Sequence, residues 1–378
     1  MNIAIFTDTY LPQINGVVTS IELFRAALVQ KGHKVYIFAP YVGRRPKDER
    51  NVFRFRSAKF LFQPEYRISF PFSSKAVSHF PKLDIDIVHS QTPFSMGLLA
   101  VYLAKKFNKP LVHTYHTLFS EYVHYLPIPN DYAKNFAIWA SKSYCNTNQL
   151  VIAPTDQIKD ELLRYNVTTP IAVIPTGINL VDVHKIQSQE AEAKYQLDTK
   201  SYTYLSTISR LGKEKNIPFL LKTFKRIHDA HPETKLILMG DGPEKKRLEK
   251  LAASLGILDA LVFTGYIDRK DIFQLLRLSK LFIFASLTET QGLVLLEAMS
   301  MKRPVVAIDA MGVSNVLDDG LGGFLCPENE LIFSQRVLSL LEESLLYEQK
   351  SEEAYRKAMS LSINKMARKL LQCYQSLL

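Results

Sequence analysis

Cysteine is scarce in this chain: 378 residues carry only Cys145, Cys326 and Cys373, odd in number and without metal or redox spacing. That excludes a disulfide framework and suits a reducing cytosol. Long apolar runs are missing too, none approaching the ~20 residues of a membrane span. The opening Met1-Asn2-Ile3-Ala4-Ile5-Phe6 reads as a strand, without the basic and apolar regions of a signal peptide. A cytoplasmic protein is expected. Metal-ligand spacing is absent as well. His113 and His116 stand three apart with no carboxylate or third ligand to match. Asp84-Ile85-Asp86 leads into a strand instead of ending one, so it reads as a turn.

What is present is ordinary globular composition, 47% hydrophobic and 22% charged, in a chain long enough for two α/β domains. The net charge of +10 is lopsided. Residues 1–175 hold 20 Lys/Arg against 12 Asp/Glu (+8), residues 176–378 hold 27 against 25 (+2). The basic half suits an anionic partner, nucleic acid or an acidic membrane, or simply solubility.

Strand-like and helix-like segments alternate through both halves. Strands are expected at 2–6, 34–39, 85–89, 111–115, 150–153 and 172–174, then at 202–208, 235–239, 261–264, 281–285 and 304–308. Helices such as 19–30 and 95–106 fall between. Such alternation predicts parallel sheets covered on both faces. Pro175-Thr176-Gly177 marks a linker. The expected domains are 1–175 and 176–352, with a helix over 353–378.

Chemistry concentrates in the second half. After the strand Lys280–Ala285, Ser286 to Met299 carries Glu289 and Glu297 eight positions apart, with Gly292 between them at a helix start. At about 1.5 Å per residue that spacing is roughly 12 Å, near the hexose-to-ribose distance of an extended nucleotide-diphospho-sugar. The first-turn N–H groups around Gly292, Leu293 and Val294 would face the diphosphate. Upstream, Arg210 ends a strand and Lys215 follows five residues later. Two cations so placed can neutralise the charge on a departing nucleoside diphosphate.

The Arg-x4-Lys and Glu-x7-Glu pair, with Gly240-Asp241-Gly242-Pro243, resembles the retaining GT-B glycosyltransferases of family 4, over nearly the whole chain. The resemblance implies two Rossmann-like doubly wound domains with a cleft between them and a C-terminal helix crossing back to the first. It places Gly16, in the turn after the first strand, and Gly240 at the donor's phosphates and nucleotide. The Tyr266-Ile267 backbone would meet the base, Glu297 the ribose, and Glu289 the sugar hydroxyls. His116 would bond a sugar hydroxyl, with His113 left structural. Read on its own, Gly16 is equally a plain strand–helix turn. The implied reaction is transfer of a hexose with retained configuration, needing no metal or other cofactor.

Thr7–Gln13, His113–Thr117 with Tyr122–Tyr125, and Thr288–Gly292 look like bacterial diacylglycerol glucosyltransferases, which make glycolipids from UDP-glucose. Pro64–Ile68, holding Tyr66 and Arg67, and Pro71 fit the same group. Two stretches suit an anionic membrane at its cytoplasmic face. Arg44, Arg45, Arg54 and Arg56 lie in a basic segment ending at Lys59, and Tyr132, Phe136 and Trp139 share one helix face. A solvated basic strand and an inward-packed helix would give the same residues. One departure is that lipid-acting relatives often carry a denser basic helix before Leu150, where 135–148 here holds a single Lys. Another lipid, such as phosphatidylinositol, or a soluble sugar are the alternative acceptors. A non-catalytic protein binding nucleic acid would explain the charge, but not Arg210, Lys215, Glu289 and Glu297 arriving together; no nucleic-acid partner is expected.

Overall fold

A computed structural model of the chain describes residues 1–13, 15–42, 50–59, 67–70, 78–121, 130–179, 183–310, 312–317 and 319–378. It forms two compact units, residues 1–177 with 363–378, and residues 178–362.

The first unit is built on β1 (Asn2–Phe6), β2 (Lys34–Pro40), β3 (Val52–Phe55), the hairpin β4 (Ser57–Lys59) with β5 (Arg67–Ser69), β6 (Ile87–Ser90), β7 (Leu111–Thr114), β8 (Leu150–Ala153) and β9 (Ile171–Val173). Seven of these make a parallel sheet ordered β3-β2-β1-β6-β7-β8-β9. The second unit has β10 (Thr203–Ile208), β11 (Thr234–Met239), β12 (Leu261–Gly265), β13 (Ser279–Phe284), β14 (Val305–Ile308) and β15 (Gly323–Cys326), again parallel, ordered β12-β11-β10-β13-β14-β15. Helices cover both faces, so the inner strands are buried on both sides and do not alternate. Strands β6, β7, β8 and β14 are buried at every position.

Strand order reverses between β1 and β6 in one sheet and between β10 and β13 in the other. At such a point the loops leaving the carboxyl ends part to opposite faces and open a crevice for ligands. The loops there hold Thr7–Asp8 and Gln91–Thr92 in the first unit, Arg210–Lys215 and Ser286–Gly292 in the second.

The expected strands form within a few residues of their predicted ends. Strand β15 had no sequence signal because it opens on Gly323, where an added Cβ would lie 1.9 Å from the Val305 carbonyl. Close backbone approach there requires the residue that weakens a strand pattern. The expected helix over 353–378 is two helices, Ser344–Ser360 and Ile363–Gln375. Ala354 and Ala358 bind the first of these into the core of the second unit. Ile363 and Ala367 pack the next against Leu23 and Ala27 of the first unit. The break falls where Ile178 N–H donates to the Leu361 carbonyl, 3.0 Å.

Candidate active site

In the second unit the reversal of strand order sets the Arg210–Lys215 loop beside the Glu289 loop. Lys215 closes a short 3-10 turn, Lys213–Lys215, and its Nζ lies 2.5 Å from Glu289 Oε1. Both side chains are about four-fifths buried, 17% and 20% exposed, which shields the pair from solvent screening. The Leu287 N–H donates to the Glu214 carbonyl at 3.1 Å, tying the two loops through backbone as well. Arg210 stands exposed at the end of β10. Around them, the buried hydroxyls of Ser209, Ser286 and Thr288 have no partner among the described residues, an unusual concentration for atoms that normally find one.

Glycines hold this arrangement. An added Cβ on Gly240 (φ +138°) would lie 2.0 Å from the Ser209 carbonyl, and one on Gly242 would lie 2.5 Å from that of Leu211. The Gly-x-Gly loop is therefore what lets β11 press against the segment bearing Arg210, with Leu211 N–H donating to the Asp241 carbonyl at 2.9 Å. Gly312 does the same for Glu289, whose carbonyl lies 2.2 Å from where its Cβ would be. Gly292 caps helix Leu293–Ser300 at φ +68°, a left-handed conformation that Gly adopts at no steric cost. With no side chain capping that helix, the first-turn N–H groups of Leu293 and Val294 remain suited to an anion.

The Glu-x7-Glu spacing is not helical throughout. Glu289 lies in the loop before the helix, Glu297 at its fifth position, so the rise per residue does not measure their separation. Glu297 is 8% exposed, and its carboxylate accepts from Arg269 Nη2 at 2.6 Å. Burial raises its pKa, and the guanidinium opposes that shift. Arg269 gave no signal in sequence: it matters through a contact 28 residues away. Tyr266 and Ile267 follow β12; Tyr266 is 65% exposed and Ile267 partly buried.

The first unit gathers imidazoles. His116 follows β7, partly buried, with Nε2 2.7 Å from Gln91 Oε1. Its surroundings lower its pKa to about 4, so the ring is neutral at physiological pH. His113 is fully buried against Ser90 Oγ at 2.9 Å, lowered to about 3 by burial. His89, unremarked in sequence, links Tyr374 Oη (2.6 Å from Nδ1) to Thr114 Oγ1 (2.7 Å from Nε2). Asp8 is spent on architecture. It accepts from Thr92 Oγ1 at 2.7 Å, from the Met96 N–H at 3.0 Å and from Ser95, capping helix Ser95–Lys106 in place of Phe94. Asp86 likewise accepts the Asn2 N–H at 2.7 Å, as a structural turn should. Gly16 opens helix Gly16–Gln30 behind Asn15, whose Oδ1 accepts from Val18 N–H at 3.0 Å. It is exposed, and an added Cβ would meet nothing within 4 Å, so the fold itself does not demand glycine there.

The basic segment is not one surface. Arg54 donates to the carbonyls of Pro40 (3.0 Å) and Leu11 (2.8 Å) and lies 5.1 Å from the Tyr10 ring centre. Arg67 donates to Ser57 Oγ at 2.7 Å and to its carbonyl at 3.1 Å, locking the β4–β5 hairpin. Both guanidiniums, expected at a membrane, are committed to backbone because edge carbonyls need donors. Arg56 is exposed. Arg44, Arg45, Lys47, residues 64–66, Pro71 and residues 122–125 lie outside the described residues. The aromatic helix face does point outward. On Asn130–Cys145, Tyr132, Phe136 and Trp139 are 76%, 65% and 61% exposed, and the Phe136 and Trp139 rings lie 5.8 Å apart. No helix among the described residues is long and apolar enough to cross a membrane, and no group of three or more His, Cys, Asp or Glu among them could hold a metal ion.

Comparison with known proteins agrees with this architecture. Residues 14–182 match the model of Glycosyltransferase Family 4, and residues 187–357 that of Glycosyl transferases group 1. Two relatives are alpha-monoglucosyldiacylglycerol synthases. The Streptococcus pneumoniae protein is 33% identical over 86% of this chain and 75% of its own length, the Acholeplasma laidlawii protein 31% identical over 87% and 86%. In fold the chain resembles Anabaena HepE in complex with UDP and glucose (TM-score 0.79, 18% identity, all of both chains). Sucrose-phosphate synthase from Thermosynechococcus elongatus is similar in the same way (TM-score 0.80, 20% identity, 100% and 99% covered). Those neighbours fix the two-sheet GT-B fold, and with the two synthases the chain belongs to glycosyltransferase family 4.

Proposed function

We propose that this glycosyltransferase moves glucose from UDP-glucose to a membrane lipid, 1,2-diacylglycerol, with retention of configuration, while bound peripherally to the inner face of the cell membrane. The observation that carries the reading is the likeness to two alpha-monoglucosyldiacylglycerol synthases across most of the chain. UDP-glucose is an α-linked donor, so an α-linked product means retention.

The residues suit that chemistry. Arg210 and Lys215 neutralise the leaving UDP, and the N–H groups of Leu293 and Val294 bind its diphosphate. Glu289, aligned by Lys215, accepts from the sugar hydroxyls, and Glu297 from the ribose. His116, neutral and oriented by Gln91, bonds a sugar hydroxyl. The bond from C1 to the phosphate oxygen breaks as the acceptor oxygen joins C1 on the same face. The acceptor's proton passes to the departing phosphate. Phe136 and Trp139 enter the interfacial layer, where amphipathic rings are at home. No metal is needed in this scheme, in which Arg210 and Lys215 supply the positive charge.

Purified protein incubated with UDP-glucose, other UDP- and GDP-sugars and diacylglycerol-containing vesicles should give α-glucosyldiacylglycerol, identified by mass spectrometry and the anomeric proton coupling. EDTA should leave the rate unchanged. A β-linked product, a non-lipid product, or activity lost in EDTA and restored by Mg²⁺ would each overturn the corresponding part.

A further inference from the structure

Glu297 stands among Leu295, Leu296, Ala298 and Met299, all at 0% exposure. An ionised carboxyl in such surroundings is unfavourable unless a cation faces it. Arg269 supplies one through a single 2.6 Å contact to Oε1. Oε2 has no partner among the described residues. The arginine is itself held in place. It begins helix Arg269–Leu278 behind Asp268, whose Oδ1 accepts the Asp271 N–H at 2.9 Å, and its guanidinium lies 5.7 Å from the Phe273 ring centre.

We infer that Arg269 is a positioning residue of the donor site, holding Glu297 as a carboxylate whose second oxygen receives the ribose hydroxyls of the nucleotide. The inference rests on the ribose role given to Glu297 above.

The other ionisable groups on neighbouring elements are engaged elsewhere. From the helix of Arg269, Lys270 pairs with Glu190, Asp271 with Lys194 and Tyr195, and Arg277 donates to the Val183 carbonyl. From β13, Lys280 lies over the Tyr347 ring and feels Glu348. From helix Ser344–Ser360, Lys350 pairs with Glu353 and Lys357 with Asp319, while Glu352 pairs with Lys302 and is also drawn to Arg356. Lys302 also lies over the Tyr355 ring. Burial raises the pKa of Glu297, and among the described residues Arg269 lowers it. Removing that charge must move the carboxyl's midpoint upward, so nucleotide binding is lost at a higher pH as pH falls.

The test is UDP affinity by calorimetry between pH 5.5 and 8, for wild type, Arg269→Gln and Arg269→Lys, with 2′,3′-dideoxyuridine diphosphate as a second probe. Wild type should prefer UDP to the dideoxy compound. Arg269→Gln should bind UDP about tenfold more weakly near neutral pH and lose about tenfold more for each pH unit below the raised midpoint. Arg269→Lys should restore most of the affinity and the lower midpoint. Wild-type affinity and pH profile in Arg269→Gln, with the ribose preference intact in the parent, would overturn the inference alone. A parent that binds both nucleotides equally would remove the ribose role of Glu297, and with it this inference.

Discussion

The two units share a parallel sheet and a reversal of strand order beside their first strands, yet they present opposite chemistry. The second unit holds charge against charge beyond its strand ends: Lys215 with Glu289, Glu297 with Arg269. The first instead holds neutral imidazoles joined to hydroxyls and an amide, His116 with Gln91 and His89 between Tyr374 and Thr114. A shared backbone plan thus leaves the ends of the strands free to specialise, since open α/β sheets bind ligands beyond their carboxyl ends. Charge suits the binding of an anion; buried neutral rings suit hydrogen bonding without attracting ions.

The sharpest break of the comparison is in the second unit. Arg210→Ala or Lys215→Ala should lower turnover by about 100-fold or more, as loss of a transition-state charge partner does. Unchanged unfolding midpoints alongside the rate loss would locate the effect in the site. Near-normal turnover in both variants would remove the leaving-group role.

The first unit should answer to pH instead. Its His89 and His113 are buried neutral, their pKa values lowered chiefly by desolvation. The unfolded chain binds protons on these rings below about pH 6.5 and the folded chain does not, so stability must fall as pH drops from there. Between pH 7 and pH 5 the loss from His113 should be about 2 kcal/mol, with a further loss of the same sign from His89, read from urea unfolding. His113→Asn should flatten part of that slope. A pH-independent stability over this range would contradict the neutral, buried description.

The smallest expected effect concerns the surface. Trp139→Ala with Phe136→Ala should weaken co-sedimentation with anionic vesicles by about 1–3 kcal/mol through lost apolar burial. Arg56→Gln should cost about 1 kcal/mol of the same binding, more at low salt. Arg54→Gln, by contrast, should act on folding, because it abandons two carbonyls and a ring contact. Equal vesicle binding by all variants would sink the docking role of this face.

Sequence by itself determined the parallel α/β architecture, since strands buried on both faces must be continuous apolar runs. It also singled out Arg210, Lys215, Glu289 and Glu297 by their spacing, and the fold sets Lys215 against Glu289. It could not determine what each charge meets. Arg54 and Arg67 look like Arg56 in sequence, and only the fold shows two of them tied to backbone. The Gly240 loop looked like a ligand contact, and tertiary packing shows Ser209 backbone filling the space a side chain would need. Arg269, Gln91, Gly312 and Tyr374 acquire their importance from neighbours 25 to 285 residues distant or from a backbone crossing. Local periodicity reports which face of an element is buried; partners brought together by strand order are a property of the closed sheet, and no short window of residues contains them.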